Sequence, residues 1–135
     1  MIRRLAAYLV LTLLIPFSVS ATIMVLSDLT QEETALPGGK YQGGIQLQNA
    51  SAEVKSVRIY QTDYWFSHTG ESRYDDPGTH ERSNASWINV SERFLILQPN
   101  EIRMVGYEVT VPSADSLRGS YWSVIMVEGI QPPDT

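Results

Sequence analysis

The sequence predicts an all-β fold, a two-sheet β-sandwich preceded by an N-terminal signal helix, and three observations carry that expectation. Short apolar stretches recur from residue 22 onward, separated by clusters of Gly, Pro, Asn, Asp and Ser, as strands and turns require. Several of those stretches alternate apolar and polar residues with a period of two, while no 3.6-residue period follows the first 21 residues. About seven short strands at such spacing suit two stacked sheets.

The leader comes first. Arg3 and Arg4 precede an apolar run from Leu5 to Ile15, Pro16 breaks any helix, and Val19-Ser20-Ala21 offers small residues for cleavage. That order of charged, apolar and small residues is the pattern of a secretory signal, and the apolar run is short of the roughly 20 residues of a membrane span. The expectation is a signal peptide at 1–21 and one domain at 22–135, exported, with the periplasm preferred over the cell surface. Removing residues 1–21 leaves eight basic side chains against fifteen acidic ones, a net charge of −7 over 114 residues. Nucleic acid and, after cleavage, the membrane surface are therefore not expected partners, since both call for clustered Lys and Arg. With no cysteine the domain must stand on packing alone.

The elements follow in order. Thr22–Leu26 is the first strand, and Leu36-Pro37-Gly38-Gly39 a turn. In Gly44–Asn49, Ile45 and Leu47 alternate with glutamines, giving a strand with one wet face. Val54–Phe66 puts Val57, Ile59, Gln61, Asp63 and Trp65 on one side, and Tyr60, Tyr64 and Phe66 on the other. Residues 67–84 are polar and lack a strand pattern, and read as a functional or floppy loop. Apolar chain resumes at Trp87-Ile88 and at Phe94–Leu97. Arg103–Val111 then alternates, with Val105, Tyr107, Val109 and Val111 sharing a face, until Pro112 ends it. In Gly119–Gly129, Tyr121, Ser123, Ile125 and Val127 face one way, and Trp122, Val124, Met126 and Glu128 the other. A strand apolar on both faces suits the middle of a sheet.

No catalytic constellation is visible. The two histidines, His68 and His80, both lie in the polar loop, and the nucleophile-elbow and phosphate-cradling glycine motifs are absent. Asp75, Asp76, His80 and Glu81 match no ligand spacing, and turn chemistry accounts for Asp75-Asp76-Pro77-Gly78. The expectation is a non-enzymatic protein with no metal and no cofactor. Trp87 and Trp122 lie within apolar strands and are expected in the core, each giving its indole N–H to a backbone carbonyl. Tyr64, Trp65 and Tyr74, beside Phe66 at the edge of the polar loop, are an alternative ligand-binding set for a surface or peptidoglycan-binding module. Asn49-Ala50-Ser51, Asn84-Ala85-Ser86 and Asn89-Val90-Ser91 fit the glycosylation pattern, and turn preference also explains them.

Phe94–Glu101, then an alternating strand, Val111-Pro112, Gly119-Ser120-Tyr121-Trp122 and Pro132-Pro133 occur in a familiar order. Together with Gly44–Asn49 and Val54–Trp65 this resembles the N-terminal immunoglobulin-like domain of periplasmic pilus-assembly chaperones, over roughly Ile23 to Pro133. The resemblance implies an immunoglobulin-like β-sandwich that acts by strand pairing with an extracytoplasmic subunit. Thr22–Gly39 holds no Arg or Lys, so the family's first-strand arginine has no counterpart, and Glu33 stands nearest its place. The family's last strand and second domain have no counterpart either. In the resembling fold Ser120–Glu128 would lie between the third strand and that last strand, leaving one edge open. Either the chain is a truncated piece whose next residues supply its own missing strand, or the edge binds a partner. In the second case Tyr121, Trp122, Ser123, Val124, Ile125, Met126 and Val127 are the partner-binding residues.

Overall fold

A computed structural model of the chain describes residues 22–130. The leader expected at 1–21, its helix and Pro132-Pro133 lie outside the described residues. Eight strands are described: β1 (Ile23–Val25), β2 (Lys40–Asn49), β3 (Lys55–Phe66), β4 (Ser72–Asp75), β5 (Ile88–Val90), β6 (Phe94–Leu97), β7 (Ile102–Thr110) and β8 (Val124–Ile130). They form two antiparallel sheets. One has the order β1-β2-β7-β5; in the other, β3 is flanked by β4 and β6 on one side and by β8 on the other. This order matches the two-sheet immunoglobulin arrangement, with β8 where the next-to-last strand belongs.

Period-two alternation explains which residues close the core. Ile45 and Leu47 of β2, Val57 and Ile59 of β3, Leu95 and Leu97 of β6 and Val105 of β7 point inward and are buried. The expected wet face of β2 is present, and Gln42, Gln46 and Gln48 lie opposite Glu108, Met104 and Ile102 of β7. Gly43 is required by its neighbour: a Cβ there would stand 2.2 Å from the Tyr107 ring, which packs across it. Pro37 and Gly38 form the expected turn, with Gly38 at φ 80° and the Gly39 amide donating to the Leu36 carbonyl at 2.9 Å.

The two sheets are tied together on one side. After β5 leaves the sheet of β7, Ser91 still donates its amide to Gly106 (2.8 Å), whereas the Arg93 carbonyl already accepts from Ile59 of β3 (2.9 Å). Three residues therefore carry the chain across, and it continues as β6 against β3. Near that end Asn49, fully buried, spans the layers. Its side-chain nitrogen donates to the carbonyls of Glu53, Leu97 and Gln98 at 2.7, 3.1 and 3.2 Å, and its oxygen accepts from Ser51. The first glycosylation pattern is thus a structural hub with no accessible amide.

Four expectations need correction. Trp87 stands in a single 3-10 turn, Ala85–Trp87, ahead of β5 and half-buried, and not within a strand of the core. The last strand runs Val124–Ile130 instead of Ser120–Glu128, because Trp122 is drawn aside into a parallel bridge with Ser83. Residues 67–84 contain strand β4 and a looped segment pinned to β3. Trp122 does give its indole N–H to the Tyr64 carbonyl (2.8 Å), but it lies on the outer face, 40% exposed, and not in the core. Its position two residues beyond the Thr62–Val124 pair dictates that face.

Candidate functional site

The candidate partner edge belongs to β8, and the directions of its backbone groups follow from its neighbours. In an antiparallel sheet each residue points both N–H and C=O toward one neighbouring strand, and the next residue toward the other. The Ile59 amide points to the β6 side, where it donates to Arg93. Arg58, Tyr60 and Thr62 consequently turn toward β8, where they face Glu128, Met126 and Val124. That leaves Ile125, Val127 and Gly129 directing their backbone groups away from β3. Among the described residues no strand pairs on that side. Apolar on both faces as a mid-sheet strand would be, β8 is a rim strand among the described residues.

Burial tells the same story. Ile125 and Val127 point into the sandwich opposite Gln61 and Ile59, yet both are only half-buried, while Ile59 is 1% exposed. Between β8 and the inner face of the other sheet lies a cavity of about 270 Å³, walled by Val25, Ile45, Tyr107 and Val109 opposite Ile125 and Val127. Its outer wall is the segment between β1 and β2. There Gln31 accepts a hydrogen bond from the Tyr107 hydroxyl and donates to the Gly44 carbonyl at 3.3 Å. Burial pushes the Tyr41 and Tyr107 hydroxyls above the usual phenol range, and the nearby Glu33 carboxylate adds to it.

The entry to β8 is held by a buried acid. Asp63 occupies an inward position of β3 and is 1% exposed. It accepts the amides of Gly78 (3.0 Å) and His80 (2.8 Å) and the Ser83 hydroxyl. Burial disfavours its charged form, but the hydrogen bonds from Ser83, His80 and Gly78 outweigh that and hold the carboxyl below its ordinary value. The segment so fixed grips Trp122: its amide donates to the Arg82 carbonyl (2.9 Å), and its carbonyl accepts from the Asn84 amide (3.2 Å). The Ser123 hydroxyl reaches the Asn84 side chain (2.6 Å), and Tyr121 packs on Trp87 (4.9 Å between centroids) beneath Arg82. Of the seven partner-edge residues, Val124 to Val127 lie in the strand, while Tyr121, Trp122 and Ser123 are engaged by the 82–87 segment. Gly129, not foreseen in the sequence, adds a third outward-directed backbone position.

The alternative ligand set is divided by the pleat. Tyr64 and Tyr74 are directly paired across β3 and β4, 5.3 Å between centroids, on the outer face with Phe66 and Trp122. Trp65 points the opposite way, stacked on His80 (6.4 Å, 10°) with the Arg73 guanidinium 5.2 Å from its ring centre. His80 is in turn bonded to Asp75 at 2.7 Å. Among the described residues no group of three or more His, Asp or Glu side chains converges as a metal site.

No family model matches the chain, and no curated protein does. Among solved structures it is similar to the ASH/PapD-like domain 7 of human CEP192, with 13% identity and a TM-score of 0.45. That likeness covers 70% of this chain and 63% of the other, under two thirds of its length. The sandwich itself is established by its strand order.

Proposed function

We propose that this chain is an exported, non-enzymatic immunoglobulin-like module of the pilus-chaperone type that binds a protein partner by strand addition along β8. One observation carries the reading: Ile125 and Val127 face the interior yet stay half-buried, on a strand paired along one side only among the described residues. An added strand would use the outward-directed backbone of Ile125, Val127 and Gly129, and its side chains would complete the core beneath. A long open apolar edge is otherwise a hazard that natural proteins cover.

The backbone directions supply a test. Proline is tolerated in a strand where its missing N–H would face away from the ladder. Val127→Pro removes an outward-directed donor and should leave the fold cooperative while abolishing dimerisation or the capture of an added strand peptide. Met126→Pro removes a donor aimed at β3 and should unfold the sheet. Light scattering and peptide titration of the purified full chain read the result. A wild-type chain that is monomeric and ignores strand peptides sinks the proposal.

A second reading is a surface module that binds peptidoglycan. It is favoured by the outer face, where Phe66 is 62%, Tyr74 58% and Trp122 40% exposed. Retention on insoluble peptidoglycan, lost in Phe66→Ala and Tyr74→Ala, would support it, and absence of retention would end it.

A further inference from the structure

The groove beside β8 also indicates what chemistry its occupant carries, given that strand addition is the mode of binding. Three features converge there. The first is the row of outward backbone groups at Ile125, Val127 and Gly129. The second is the cavity below, where Val25, Ile45, Val109, Ile125 and Val127 supply apolar wall beside the tyrosine hydroxyls, Asn84, Ser123 and the polar outer segment, so every second side chain of an added strand would enter it. The third is charge. Asp28 and Glu33 border the cavity, and Glu32 and Glu33 border the wider mouth that continues from it. All three acids are exposed, and none belongs to an ion pair among the described residues. The segment carrying them has no Lys or Arg from Thr22 to Gly39. Among the described residues Arg118 is the one cationic residue lining either opening, so three acids face one base.

We infer that the occupant is an extended segment of another protein, apolar at alternate positions and carrying Lys or Arg where it passes Asp28, Glu32 and Glu33. The alternation fills the cavity and the cations meet the unpaired rim. Complementary charge at an exposed rim mainly sets association rate and partner choice, and it weakens with salt. The rim thereby excludes acidic strands that the backbone ladder alone would accept.

The test uses the purified full chain and two synthetic peptides of alternating valine and threonine, one flanked by lysine pairs and one by glutamate pairs. Expected is about tenfold tighter binding of the lysine peptide at low salt, with the gap closing as salt rises. The triple variant Asp28→Asn, Glu32→Gln, Glu33→Gln should erase the preference while retaining the thermal transition, because all three side chains are exposed. Equal binding of both peptides overturns the inference and leaves strand addition standing. No binding by a monomeric chain overturns both. A dimer that ignores both peptides, and that Val127→Pro dissociates, makes a second copy of this chain the occupant and likewise overturns the inference.

Discussion

Replacing Asp63 by Asn tests whether a single buried carboxylate organises the approach to β8. The change is nearly isosteric, so packing is held while charge and acceptor capacity are altered. Asp63 accepts three hydrogen bonds, from Gly78, His80 and Ser83. Hydrogen bonds to a charged group are each worth about 1.5–3 kcal/mol. An asparagine retains one acceptor oxygen and turns its NH₂ toward at least one donor. The 76–84 segment is largely exposed, so water can replace part of what is lost, and the expected cost is about 2–3 kcal/mol. For a domain of this size that is a fall in Tm of roughly 10 °C. The pH dependence is the sharper readout. The carboxyl is held below its ordinary value in the folded protein, so its contribution is complete above about pH 4 and is lost as pH falls through the lower folded value. The stability gap between wild type and Asp63→Asn, measured by thermal melting from pH 7 to pH 2.5, should be constant near neutrality and shrink in acid. A loss below about 1 kcal/mol, or a gap independent of pH, would refute the role assigned to Asp63.

Two further outcomes follow from particular contacts. Asn49→Asp sets a carboxylate oxygen against the carbonyls of Glu53, Leu97 and Gln98 in a fully buried site, which should cost at least about 3 kcal/mol at neutral pH. The acid is forced toward its neutral form there, so the loss should grow as pH rises above about 3.9 and be smallest below it; urea melting across that range reads the trend. Gly43→Ala drives a methyl into the Tyr107 ring and should destabilise by about 1–3 kcal/mol, with Tyr107→Leu relieving part of that in a double-mutant cycle.

Much of this architecture was legible residue by residue. Phe94–Leu97 forms a strand with the expected ends, and the inward sets of β2, β3 and β7 follow the period-two pattern. Strand β4 was not legible, because Ser72-Arg73-Tyr74-Asp75 lacks an apolar alternation and owes its conformation to pairing with β3. The role of Asp63 has a visible signal in the sequence: an acid in register with Val57 and Ile59 must find buried donors. Asn49 gave a similar signal, following Ile45 and Leu47 on the inward side of β2. The displacement of Trp122 could not be read from its neighbours in sequence, since it depends on backbone groups of Arg82 and Asn84 some forty residues away.

The crossing at Ser91–Arg93 gives the sandwich a bound spine. On that side one continuous length of chain is stitched into both layers, whereas on the opposite side β1 and β8 face each other without any shared ladder among the described residues. Like a book, such a molecule can part along its fore-edge and nowhere else. Its slowest-exchanging amides should sit in β2, β3 and β7, while Ile125, Val127 and Gly129 exchange freely, and any guest that enters must do so from the margin and leave the binding intact.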